Sequence, residues 1–167
     1  MTTDVKCIFC KIISGDAPAE VLFQNEELIV FLDIKPASSI HFMVVPKKHI
    51  PNINSLKTNE DKLLVERMLE VGKRVLELKN GNSKDSRIGF HCPPYTTVDH
   101  LHLHFIYPEA DMSPYHQMLF QVHHLFFELP KKRAFFHLRE GVKVKATNGT
   151  SSTLKWTADD VILRLST

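Results

Sequence analysis

Glycine is scarce, with six in 167 residues. None falls into GxGxxG or GxxxxGK[ST], which removes the dinucleotide fingerprint and the common triphosphate loop as ways of holding a phosphate. Long apolar runs are missing as well. None reaches the ~18 residues that a membrane span needs, and Met1 to Cys10 lacks the charged and apolar regions of a secretory signal. The chain is therefore expected in the cytoplasm or nucleus, with no membrane partner, and Asn148-Gly149-Thr150 is expected to be an unused sequon. Cysteine is limited to three residues, one necessarily unpaired within the chain, so metal or thiol use is favoured over a disulfide framework. A net charge of +2 carries no bias toward nucleic acid, and none is expected as a partner. With 43% hydrophobic and 24% charged residues the composition is that of one soluble globular domain rather than a disordered chain.

Short apolar or β-branched runs predict strands at Val21 to Asn25, Leu28 to Asp33 and Ile40 to Pro46, separated by turn-forming segments. Leu64, Met68, Val71, Val75 and Leu78 recur at alternating intervals of four and three. This spacing predicts one amphipathic helix from Thr58 to Lys79, opened by Thr58 or Asn59 and closed near Asn80-Gly81. Arg87 to Cys92 and His100 to Tyr107 read as two further strands, each stopped by proline. Strands, helix and strands in that order predict an α+β fold, an antiparallel sheet of about five strands with helices on one side. A core of residues 1–109 is then followed by a C-terminal extension, 110–167, packed on it or continuing it. In the extension Gln117 to Leu129 reads as a helix, Gly141 to Thr153 as a hairpin or mobile loop, and Thr157 to Leu165 as a capped final helix.

Histidine is abundant, with ten residues. His100, His102 and His104 alternate with Leu101, Leu103 and Phe105, so a strand sends the imidazoles to one face and the apolar side chains to the core. Three imidazoles on one face can ligate a metal. They can also divide labour, one as nucleophile and the others as orienting groups and proton carriers. Cys7-Ile8-Phe9-Cys10 offers a separate pair of soft ligands, and CxxC is the usual first half of a tetrahedral zinc site. Packed thiols and redox use are the alternatives to it. His49 and His100 are the candidates for the remaining two ligands. His116, His123, His124 and His137 follow no spacing and read as surface or packing residues, Lys131-Lys132-Arg133 as a solvated loop, and Cys92 as a buried thiol.

The sequence resembles the histidine-triad superfamily, whose pattern HxHxHxx with apolar x positions is matched by His100 to Ile106. Further blocks carry the likeness: Cys7 to Ile13 with Ala17-Pro18-Ala19, Phe31 to Pro36, His41 to His49, and Gly89-Phe90-His91 with Pro93-Pro94 and Thr97-Val98-Asp99. It is most similar to the third nucleotide-binding branch and to the aprataxin catalytic domain. The resemblance implies a nucleotide hydrolase, an adenosine 5'-monophosphoramidase, acting on adenosine phosphoramidates or acyl adenylates through an adenylyl-histidine and releasing AMP. His102 would be the nucleophile, with His41 and His104 lining the phosphate and Thr97 bonding a phosphoryl oxygen or the leaving group. Asp33 would accept ribose hydroxyls, and Ile34, Phe31, Phe9 and Leu22 would wall the base. His91, standing where the commonest branch has asparagine, joins the nucleotide-binding set.

In the zinc-containing relatives Cys7, Cys10, His49 and His100 hold a structural metal; no organic cofactor is implied. The implied partners are a purine nucleotide, as AMP or adenylated small molecules or lysine, and a second copy of the chain in a homodimer. Two rival readings are an aprataxin-like removal of AMP from nucleic-acid ends and a nucleotide-binding sensor or scaffold of weak activity.

Overall fold

The computed structural model describes residues 6–121 and 126–129. Three short, apolar segments form an antiparallel meander: β1 (Val21–Gln24), β2 (Leu28–Leu32) and β3 (Ile40–Pro46). The helix α2 (Asn59–Leu78) follows. Thr58 caps it, accepting the Asp61 N–H at 3.1 Å while the Asp61 carboxylate accepts the Thr58 N–H at 2.8 Å. Such a box satisfies two of the free donors of the first turn. Asn80, at φ 60°, ends the helix in the left-handed region, and the Gly81 N–H returns to the Leu76 carbonyl at 2.9 Å.

Next come β4 (Arg87–His91) and β5 (Leu103–Tyr107), which lies between β3 and β4. The expected strand from His100 begins only at Leu103. Ahead of it the Leu101 N–H leaves the ladder for the Ile50 carbonyl at 2.6 Å. The expected helix over Gln117 to Leu129 is replaced by two elements. Ser113 caps α3 (Pro114–Leu119) with Pro114 in its first turn, so the helix starts early and stops early. Phe126–Glu128 then forms β6 on the outer edge of β4. Phe126 and Phe127 are of a type enriched in strands, and pairing with β4 holds the three residues extended. Among the described residues the sheet therefore has six strands, ordered β1-β2-β3-β5-β4-β6. The expected hairpin at 141–153 and the expected final helix lie outside the described residues.

Alternation divides the sheet into two faces. Val30, Phe42, Val44, Ile88, Phe90, Leu103 and Phe105 meet Leu64, Val65, Met68, Val71 and Val75 of α2 in the main core. Burying each large side chain there contributes about 1.5–3 kcal/mol. Leu78 falls at the margin of the helix stripe and is 44% exposed, Leu76 being buried in its place. The opposite face carries Ile29, Phe31, Met43 and Val45 at one end, where α1 (Ile8–Ser14) covers them, so the helices are not confined to one side. At its other end Ile106 packs with Ala37, Met112, Phe120 and Phe126. The imidazoles stand between these two patches. No helix of the described residues is long and apolar enough to cross a membrane.

Gly89 permits the β6 pairing, because a Cβ there would lie 2.3 Å from the Phe127 carbonyl oxygen and 2.6 Å from the Phe126 ring. Gly89→Ala is expected to lower stability by about 1–3 kcal/mol in denaturant unfolding and to speed hydrogen exchange in β6. Unchanged exchange at Phe126 to Glu128 would remove that pairing.

Candidate active site

Two groups of side chains occupy the α1 face of the sheet. The first lies where α1 begins. Cys7 is its N-cap and Cys10 sits one turn on, so both thiols reach toward the exit of β3 and the approach to β5. Cys7 Sγ lies 3.3 Å from His100 Nδ1, Cys10 Sγ lies 3.3 Å from His49 Nδ1 and 3.6 Å from His100 Nδ1. All four donors fall within 4.8 Å of one another. Zinc–sulfur and zinc–nitrogen bonds at the tetrahedral angle would set such S···N pairs ~3.5 Å apart. His100 Nε2–H donates to the Pro46 carbonyl at 2.8 Å, which leaves the Nδ1 lone pair facing the thiols. This donor set fits a tetrahedral soft cation.

The second group is a row of imidazoles whose protons are fixed by its ends. The Ala37 backbone N–H donates to His41 Nδ1 at 3.0 Å, so neutral His41 carries its proton on Nε2. That N–H donates to His104 Nδ1 at 2.9 Å. His104 therefore carries its proton on Nε2 and donates to His91 Nδ1 at 3.1 Å. His91 in turn donates from Nε2 to the Leu119 carbonyl at 3.3 Å. Each neutral ring has one donor and one acceptor, and four consecutive bonds run in one direction.

His102 stands beside this row, its ring 4.8 Å from that of His104 and 5.3 Å, edge-on, from Phe9. His102 Nδ1–H donates to the His100 carbonyl at 2.5 Å, which leaves the lone pair on Nε2. Burial pushes His102 down to about 4 and His41 down to about 3, and lowers His91 and His104 as well. Asp33 is pushed up, chiefly by burial. One of its carboxylate oxygens accepts the Lys35 N–H at 2.8 Å and the other lies 3.5 Å from His41 Nε2. The site thus holds an uncharged imidazole lone pair, on His102 Nε2, beside neutral donors.

The structure brings His41, His91, His102, His104, Asp33, Phe9 and Phe31 together, with Phe9 and Phe31 in edge contact at 5.3 Å. Leu22 packs instead in the α2 core, and Ile34 is 94% exposed in the loop after Asp33. Thr97 is exposed in the loop before β5 and shares no hydrogen bond with the imidazoles among the described residues. Cys92 is half-buried rather than buried. Sequence reasoning missed the aromatic wall that the extension supplies. Phe120 lies 4.8 Å from the His91 ring and 5.2 Å from that of His104, and Phe126 lies 5.4 Å from His91. Arg87 holds this wall in place, donating to the Phe120 carbonyl at 2.6 Å and pairing with Glu109. Neither position stands out in a segment rich in aromatics.

Among the described residues, a six-stranded sheet of α+β type thus carries alternating histidines beside a Cys₂His₂ cluster, and comparison with known proteins places that combination. The family described as scavenger mRNA decapping enzyme C-term binding matches residues 6–119. An adenosine 5'-monophosphoramidase HINT3 of Xenopus tropicalis is 38% identical over 126 residues, 74% of this chain and 82% of the relative. The bifunctional adenosine 5'-phosphosulfate phosphorylase/adenylylsulfatase HINT4 of Arabidopsis thaliana is 46% identical over 99 residues, 59% of this chain and 67% of the relative. Among solved structures, a HIT family hydrolase from Clostridium thermocellum superposes with a TM-score of 0.59 at 29% identity, covering 66% of this chain and 96% of that one. The chain belongs to this decapping-enzyme C-terminal family of the histidine-triad superfamily.

The neutral imidazoles bear on stability. An unfolded histidine protonates near 6.5, whereas native His41 and His102 resist protonation down to about 3 and about 4. The unfolded state therefore binds more protons below 6.5, and stability that is fully present above that pH is lost as it falls toward 4. Unfolding free energy is expected to drop by about 3 kcal/mol per imidazole over this window. The Asp61 carboxyl, held below its ordinary 3.8, contributes its own loss only at lower pH. Denaturant midpoints that stay constant between pH 7 and 4 would contradict the neutral row.

Proposed function

We infer that this chain hydrolyses adenylated small molecules, adenosine phosphoramidates or acyl adenylates, and releases AMP. The observation that carries the reading is the His102 Nδ1–H bond to the His100 carbonyl, which with burial presents an uncharged Nε2 lone pair. That nitrogen attacks the α-phosphorus, the bond to the leaving group breaks with its electrons on the departing nitrogen or oxygen, and an adenylyl-histidine forms. Water then attacks the same phosphorus and returns the imidazole. His104 and His91 face the phosphoryl group, Phe9 and Phe31 offer an apolar surface to the purine, and Asp33 accepts the ribose hydroxyls. The relatives named as adenosine 5'-monophosphoramidases support the substrate class.

His102→Ala is expected to lose hydrolysis of an adenosine phosphoramidate by at least about 10³-fold while still binding AMP. Wild-type protein trapped with labelled substrate should carry adenylate on His102. A wild type as inert as the variant, yet binding AMP, would leave a nucleotide-binding sensor instead.

A structural zinc is assigned to Cys7, Cys10, His49 and His100, supported by their donor spacing. It would cross-link α1 to the strand exits and take no part in the reaction. Protein purified without an affinity tag should contain about one zinc per chain. Cys7→Ser with Cys10→Ser should remove the metal and lower the melting temperature; equal zinc in the double variant would overturn the ligand set.

A further inference from the structure

The row from Ala37 to Leu119 has a consequence for charge. Three neutral rings satisfy all four of its hydrogen bonds. Any additional proton sets two N–H groups against each other. On His41 it would face the Ala37 N–H, and on His104 Nδ1 it would face the His41 N–H. Both positions are closed, His41 being 2% and His104 4% exposed. On His91 Nδ1 the extra proton would face the His104 Nε2–H. This gap is the one bordering His102, since nitrogens of His91, His102 and His104 all lie within 4.8 Å of one another. An anionic oxygen entering there can accept from both N–H groups at once. A phosphoryl oxygen thus replaces one N–H···N bond by two N–H···O⁻ bonds, which are the stronger kind.

We propose that His91 takes up a proton when the phosphoryl group of an adenylated ligand enters the gap between it and His104, so that binding turns a neutral imidazole row into a cationic one. This rests on the reading of the site as adenylate-binding. His91 is the half-buried end of the row, and its environment suits the role. His104 and His102 face it from β5 and its approach, the Leu119 carbonyl and Phe120 from α3 and its end, and Phe126 from β6. Asp33, beyond His41 on the β2 side, favours its charged form, while His41 and His116 are further imidazoles in the same field. None of the side chains hydrogen-bonded in the row is a lysine or arginine. The proton taken from solvent thus supplies the positive charge that such residues give elsewhere.

The test uses adenosine 5'-O-methyl phosphate, a monoanion that does not titrate near neutral pH, with the full chain. Calorimetric titration in buffers of differing ionisation enthalpy should show uptake approaching about one proton per ligand near pH 7.5. Affinity should weaken by up to about tenfold per pH unit between pH 7 and 8. His91→Asn, which keeps a neutral donor, should bind with a flat pH profile and no uptake. In wild-type protein labelled with ¹⁵N-histidine, His91 Nδ1 should change from an unprotonated to a protonated nitrogen on binding, a reading that does not depend on any variant folding. Binding without uptake, or uptake that survives His91→Asn, would overturn the proposal while leaving the adenylate site in place. Failure of wild-type protein to bind the ligand at all would overturn that site reading and this inference with it.

Discussion

A buried imidazole must satisfy both of its ring nitrogens, and a neutral one can do so only as one donor and one acceptor. Packing three such rings in a line makes the choice collective. Once the Ala37 N–H fixes one end and the Leu119 carbonyl the other, every proton between them is assigned. The same logic holds His102, whose bond to the His100 carbonyl decides which nitrogen keeps its lone pair, and His100, whose bond to the Pro46 carbonyl decides which faces the thiols. Backbone groups at the ends of β3, β5 and α3 thereby set the chemistry of side chains that are identical in type.

The two faces of the sheet divide the work. The α2 face is an ordinary apolar core, and stacking of Phe42 on Phe105 at 5.0 Å lies at its centre. It makes β3 and β5 rigid, so histidines on their reverse side are held in register: Met43 pairs with His104, and His41 with Ile106. On that reverse side α1 brings the thiols and Phe9, while the segment after Pro108 brings Leu119, Phe120 and Phe126. The site is therefore flanked by a segment that precedes the sheet and by one that follows β5. The first residues of the extension, which continue the sheet through β6, belong to its wall.

Much of this was legible before any coordinates. The three strands of the meander, the capped helix and the alternation of His102 and His104 with Leu101, Leu103 and Phe105 rest on local periodicity, and they stand with small changes at their ends. The pairing of Cys7 and Cys10 with His49 and His100 was also readable as a set of candidates, because few residue types make soft ligands. Less was visible where long-range pairing decides. Phe126–Glu128 is too short to show a period, so its attachment to β4 could not be read, and the helix expected there was the cost. The resemblance implied a place for Leu22 in the base wall, but the irregular register between β1 and β2 turns it into the α2 core.

Sequence by itself therefore nominated most of the side chains that the fold brings together: alternating imidazoles, a pair of thiols and a carboxylate before a turn, on elements whose local patterns announce themselves. Only the tertiary structure decided which nitrogen of each imidazole bears the proton and that His41, His104 and His91 form one hydrogen-bonded row. The reason is physical. A tautomer is chosen by the partner facing each ring nitrogen, and those partners, Ala37, Pro46, His100 and Leu119, are backbone groups that any residue could have supplied and that only folding brings near.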